Sequence, residues 1–167
     1  MKQSRETSLT PRQVRRAARL ARRLMPHDGD LDVWLRNLSE HRNRPIKATV
    51  GDLSATPGLS GMCVIRDDGD FIILDASASP TRRLVFLCHE VAHLLLGHQG
   101  EVASSDLVAR ATPDLPPGLR SRVVTRHEHD SLEEQAAEEL ATLLSLEHAR
   151  RQRSQELRSN AISARLR

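Results

Sequence analysis

Aromatic side chains are scarce in this 167-residue sequence. It has no tyrosine, and its aromatic residues are Trp34, Phe71 and Phe86. Proteins that bind single-stranded nucleic acid without sequence preference stack successive bases on aromatic rings. The scarcity of such rings therefore argues against a stacking platform of this kind. An apolar content of 38% is still sufficient for the core of one ordinary domain.

Cysteines and long apolar runs are also few. Cys63 falls on a predicted strand and Cys88 in a predicted apolar helix, so we expect two reduced core thiols rather than a disulfide framework. No run approaches the ~18 consecutive apolar residues of a membrane span, and the arginine-rich start lacks the apolar segment of a secretory signal. The composition predicts a soluble, cytoplasmic protein that does not contact a membrane.

The positive charge is concentrated at the two ends of the chain. The formal net charge is only +3, yet arginines crowd residues 12–23 and again residues 150–167. Ends of this kind could make weak contacts with nucleic acid or bind an acidic protein. Because no base-reading motif accompanies them, two solvated helical faces are the simpler interpretation.

Hydrophobic periodicity and capping residues predict four helices and three strands. The fold class is therefore α+β and mainly helical, with a small three-stranded antiparallel sheet packed against the helix that contains His89. We divide the chain into a basic N-terminal helix (1–29), a core (30–147) and a basic C-terminal helical tail (148–167). The strand Phe71–Asp75 is either an edge strand, which could pair with an extended peptide, or an inner strand of a hairpin.

The stretch CHEVAHLLLGH, residues 88–98, carries the strongest chemical signal. His89 and His93 are four residues apart, so on a helix both imidazoles project from one face and can reach one Zn²⁺ ion. Glu90 is then placed to act as a general base rather than as a ligand. The surrounding helix is apolar nearly all round, and burying these polar groups there is costly unless they are paired or bind a metal.

His98 is predicted to take no part in this site. It lies nine residues after His89, and at ~100° per residue a continuous helix would point the two side chains in opposite directions. We therefore expect His98 to interact only with the helix dipole. Cys88 is likewise expected to point away from the metal, into the core.

The third ligand must come from elsewhere, and the last helix supplies glutamates. Glu134 and Glu138 are four residues apart. Glu133 lies nearer the middle of the apolar face, and Glu134 also fits a capping box that begins at Ser131. Periodicity alone does not choose between Glu133 and Glu134.

A family resemblance supports one of them. The HExxH motif followed by Glu134-x-x-Ala137-Glu138-x-Leu140-Ala141 resembles the ImmA/IrrE-type zinc metallopeptidases, a gluzincin-like family. The resemblance covers roughly residues 31–146 and implies Glu134 as the third zinc ligand, with Glu138 orienting a ligand histidine.

The resemblance also implies a function, namely a zinc-dependent endopeptidase that cleaves a regulatory partner, often a helix-turn-helix transcriptional repressor. With no tyrosine in the chain, a donor to the reaction's oxyanion must be histidine, arginine or backbone, and His127 and His129 are the best placed, with Arg126 as a further option. The alternative function is a non-catalytic regulatory or toxin–antitoxin-type component that has a zinc site and binds a repressor or DNA through its basic ends.

Overall fold

The computed structural model describes residues 11–53, 61–66, 68–98, 101–102, 123–125 and 132–165. These residues form four helices and one mixed sheet, which confirms the predicted α+β class. The helices are α1 (Pro11–Leu24), α2 (Leu31–Arg42), α3 (Pro80–Leu96) and α4 (Leu132–Arg165). The strands are β1 (Ile46–Gly51), β2 (Gly61–Arg66), β3 (Gly69–Asp75), β4 (Glu101–Val102) and β5 (Val123–Thr125). None of the described helices is both long and apolar enough to cross a membrane.

Side-chain caps and a glycine set the helix ends. The side chain of Asp30 accepts a hydrogen bond from the backbone N–H of Val33 at 2.9 Å, so α2 begins at Leu31. Ser79 caps α3 in the same way, and Pro80 occupies the first turn, where its missing N–H costs nothing. Gly97 adopts the left-handed conformation, with φ of 73°, and thereby ends α3 at Leu96.

The sheet is mixed, so the prediction of an all-antiparallel sheet is wrong. The strand order is β1-β3-β2-β5-β4, and β1 pairs with β3 in parallel while every other pair is antiparallel. The β2–β3 hairpin places β3 between β1 and β2, where it runs in the same direction as β1. The interpretation of Phe71–Asp75 as an edge strand is therefore also wrong. The two short strands β4 and β5 were not predicted.

One hydrophobic core joins the sheet to all four helices. It contains Val14 and Ala21 of α1, Trp34 of α2, Val91 of α3 and Leu140 of α4. Trp34 is fully buried, and its indole N–H donates to the carbonyl of Ala21 at 3.0 Å. The basic N-terminal helix is thus part of the same packed unit as the helix that carries the histidines.

The C-terminal arginines begin within a continuous helix. The predicted boundary between the core and the basic C-terminal tail, at residues 147 and 148, falls inside α4. This helix runs without a break to Arg165. The guanidinium of Arg151 donates to the carbonyls of Arg22 at 2.8 Å and Pro26 at 2.9 Å, and also to that of Met25. These carbonyls lie at the end of α1, so Arg151 satisfies a helix C-terminus and fastens α4 to α1.

Candidate metal centre

Helix α3 places two imidazoles side by side. His89 and His93 lie one turn apart, and their Nε2 atoms are 3.0 Å from each other. His93 is buried, with 1% of its surface exposed, whereas His89 is half-buried. The predicted shared face is therefore present, and it opens to solvent on the side of His89.

The first turn of α4 brings a carboxylate to the same point. Oε1 of Glu134 lies 2.9 Å from Nε2 of His89, and Oε2 lies 3.5 Å from Nε2 of His93. One ligand atom from each of the three residues falls within 4.8 Å of the others. Glu133 is exposed and belongs to no such cluster among the described residues. Of the two glutamates that periodicity leaves open, Glu134 is therefore the one that lies beside the histidines.

The spacing of these atoms fits a metal ion. Two donors of a tetrahedral Zn²⁺ site with bonds of about 2.0–2.1 Å are separated by roughly 3.3–3.4 Å. The observed separations of 3.0, 2.9 and 3.5 Å lie close to that value. Two imidazoles and one carboxylate also leave a fourth position open, as zinc sites that perform catalysis require.

Glu90 lies on α3 between the two histidines and is buried, with 8% of its surface exposed. Its position in the helix keeps it beside His89 without joining the three-residue cluster. A buried carboxylate beside the cluster could act as a general base, and that role for Glu90 stays a prediction.

His98 contacts the metal cluster, so the prediction that it points away from it is wrong. The Nδ1 atom of His98 lies 2.8 Å from Nδ1 of His93, and His98 is buried, with 7% of its surface exposed. The helix stops at Leu96, and after Gly97 the backbone N–H of His98 turns back to the carbonyl of His93 at 3.1 Å. The rotation of ~100° per residue on which the prediction rested does not apply beyond the end of the helix. The glycine directly before His98 was the sequence signal for this turn.

Glu138 does not reach the histidines. It is exposed on α4, and within the described part of the chain no hydrogen bond or ion pair joins it to His89 or His93. The contact to a ligand histidine that was expected of Glu138 is made by His98 instead. Arg126, His127 and His129 lie outside the described residues.

Cys88 is a core thiol, as predicted. It is fully buried, and burial raises the pKa of its thiol to about 11, although a hydrogen bond with Ser145 acts in the opposite direction. A thiol in this state is protonated at neutral pH and is a poor nucleophile, and Cys88 does not belong to the cluster of His89, His93 and Glu134. Cys63 is also buried and forms no disulfide.

Comparison with known proteins assigns no family to this chain. No protein-family model matches it, and no curated protein is significantly similar to it in sequence. Its chemistry is therefore inferred from the side chains that the fold brings together.

Proposed function

We propose that this chain is a zinc-dependent endopeptidase that cleaves a regulatory partner protein. The observation that carries the proposal is the convergence of His89, His93 and Glu134 from two helices that are far apart in the sequence. A buried glutamate adjoins the first histidine. Together these residues form the ligand set and the general base of a hydrolytic zinc site.

Each residue of the site has a distinct task. His89, His93 and Glu134 would hold the ion, which supplies Lewis acidity that polarises a peptide carbonyl and acidifies water. Glu90 accepts the proton of the attacking water and passes it to the leaving amine. His98 fixes the orientation of the His93 ring through the Nδ1–Nδ1 contact. His127 and His129 remain our candidates for stabilising the oxyanion.

The resemblance of the two motifs to the ImmA/IrrE-type metallopeptidases suggests the kind of substrate. We infer a transcriptional repressor with a helix-turn-helix domain, cleaved in the cytoplasm. The two buried cysteines are not joined in a disulfide, which is in keeping with a reducing compartment.

The test compares wild type with Glu90→Gln, which preserves shape and removes the base. Both proteins are loaded with zinc, and their metal content is measured. Each is then incubated with candidate helix-turn-helix repressors and with a proteome-derived peptide library. Wild type should cut at defined bonds, while the variant should bind equal zinc and lose about 10²–10⁴-fold in rate. A variant that retains both zinc and cleavage would refute the peptidase proposal.

The second candidate is a regulatory protein whose zinc site serves only structure. The exposed arginines of α1 favour it, since a basic helix can bind DNA or an acidic repressor without catalysis. Under this alternative, Glu90→Gln leaves biological function intact, and zinc removal weakens partner binding instead.

A further inference from the structure

A second concave surface lies apart from the metal centre. A groove of about 720 Å³ runs between α1 and the last turns of α2 and α3. The residues that line it include none of the metal cluster. They are Gln13, Arg16, Ala17, Arg19, Leu20, Arg23, His41, Leu95 and Leu96. We call this surface the α1 groove.

The rim of the α1 groove is strongly basic. Arg16, Arg19 and Arg23 follow one another at spacings of three and four residues, so they lie along one side of α1. All three are exposed, and none forms an ion pair or hydrogen bond with another described residue. No aspartate or glutamate is among the described residues that line the groove. Three neighbouring cations therefore present positive charge without internal compensation.

The floor of the groove is apolar. Leu20 of α1 and Leu95 and Leu96 of α3 are half-buried there, and Ala17 is buried beneath them. The lining residues of α1 extend from Gln13 to Arg23, which corresponds to about 15 Å along the helix axis. That length accommodates between two and three turns of a partner helix.

We propose that the α1 groove docks an acidic amphipathic helix of a partner protein. Leucines on one side of such a helix would cover Leu20, Leu95 and Leu96, while its glutamates or aspartates would face the arginines. A nucleic acid fits this surface less well, because phosphates gain nothing from a leucine floor and none of the lining residues is a Trp, Tyr or Phe on which bases could stack. The docking requires neither zinc nor peptidase activity, so it stands apart from the function proposed above.

The competing explanation is that the arginines stabilise helix C-termini, which carry partial negative charge. Under that explanation they matter for folding and bind nothing. Arg12 and Arg15 supply a matched control, since they are exposed on α1 but do not line the groove. Replacing Arg12 and Arg15 by glutamate changes the net charge by the same amount, and on the same helix, as replacing Arg16 and Arg19 of the groove.

The experiment titrates the full chain into a fluorescein-labelled 14-residue peptide with leucines at helical spacing and glutamates elsewhere, and into a scrambled peptide of equal composition. We expect R16E/R19E to weaken binding of the amphipathic peptide at least tenfold and R12E/R15E less than threefold, with no effect of a zinc chelator. Circular dichroism and thermal unfolding check the fold, and R16Q/R19Q replaces the glutamate variant if that variant unfolds.

Three results would overturn the docking proposal. The first is an equal loss in both charge-reversal variants, which indicates unspecific attraction. The second is equal binding of the scrambled peptide, which means that the apolar floor is not used. The third is a 20-base-pair DNA duplex that binds more tightly than the peptide and shows the same sensitivity to R16E/R19E.

Discussion

The Nδ1 atoms of His93 and His98 lie 2.8 Å apart in a buried position. If His93 binds zinc through Nε2, as proposed, its proton lies on Nδ1, and His93 then donates to Nδ1 of His98. In that case the contact would fix the tautomer and the ring orientation of His93, which is the usual task of a group behind a metal-bound imidazole.

Replacing His98 should therefore weaken metal binding without removing a ligand. We expect His98→Ala to lower zinc affinity about 10- to 100-fold. His98→Asn should recover part of the loss, because its amide oxygen can accept the same hydrogen bond. Competition with a chromophoric chelator measures the affinity, and His27→Ala, an exposed histidine outside the site, is the control. Equal affinities for wild type and His98→Ala would show that the contact has no positioning role.

Local geometry alone predicts only part of the site, and the choice of Glu134 rested on the family resemblance. His89 and His93 belong to one helix, so their spacing alone places them on one face. Glu134 comes from another helix, and its position depends on how α3 and α4 pack, which periodicity does not specify. His98 was missed because a helical projection was carried past Gly97, where the chain turns back on itself.

The fold shows the same division between local and non-local information. The side-chain caps of α2 and α3 and the hairpin of β2 and β3 depend on residues close together in the sequence, so elements of this kind can be predicted from local patterns. The parallel pairing of β1 with β3 joins strands that are not consecutive. Nothing within either strand encodes it, because the partner is selected only when the hairpin packs beside β1.

Glu134 and its neighbour provide a matched pair for testing the metal site. Glu134 contacts both histidines, whereas Glu133 is exposed, yet the two substitutions remove the same charge from the same helical turn. At zinc concentrations about 100-fold above Kd, wild type and Glu133→Ala should each gain about 2.7 kcal/mol in stability. If Glu134→Ala weakens binding 100-fold, its gain falls to about 0.4 kcal/mol.

Thermal unfolding with and without zinc measures these gains, and urea unfolding converts them to free energies. An equal zinc-dependent gain in Glu134→Ala and Glu133→Ala would place the ion elsewhere. Loss of the gain in both variants would mean that charge at the start of α4, rather than coordination by Glu134, controls binding.

The pairing of Glu147 with two arginines predicts an acid-sensitive contribution to stability. Its carboxylate accepts hydrogen bonds from Arg150 and from Arg151, each with a shortest distance of 2.7 Å. Arg150 and then Arg151 hold the pKa of Glu147 at about 2, below its ordinary value of 4.5. Arg151 also binds the carbonyls at the end of α1, so Glu147 helps to orient the side chain that joins α4 to α1.

Because the pKa of Glu147 is lower in the folded than in the unfolded chain, its ionised form stabilises the fold. This contribution is complete above about pH 4.5 and is lost as the pH falls toward 2.

Arg150 is exposed and solvent screens the pair, so we expect Glu147→Gln to cost only about 1 kcal/mol at pH 7. Urea unfolding of the metal-free chain between pH 3 and 7 measures the difference between wild type and variant, which should shrink steadily below pH 4.5. Glu156→Gln, on an exposed part of the same helix, should show no such trend. A difference for Glu147→Gln that stays constant across this range would mean that its effect comes from packing rather than from charge.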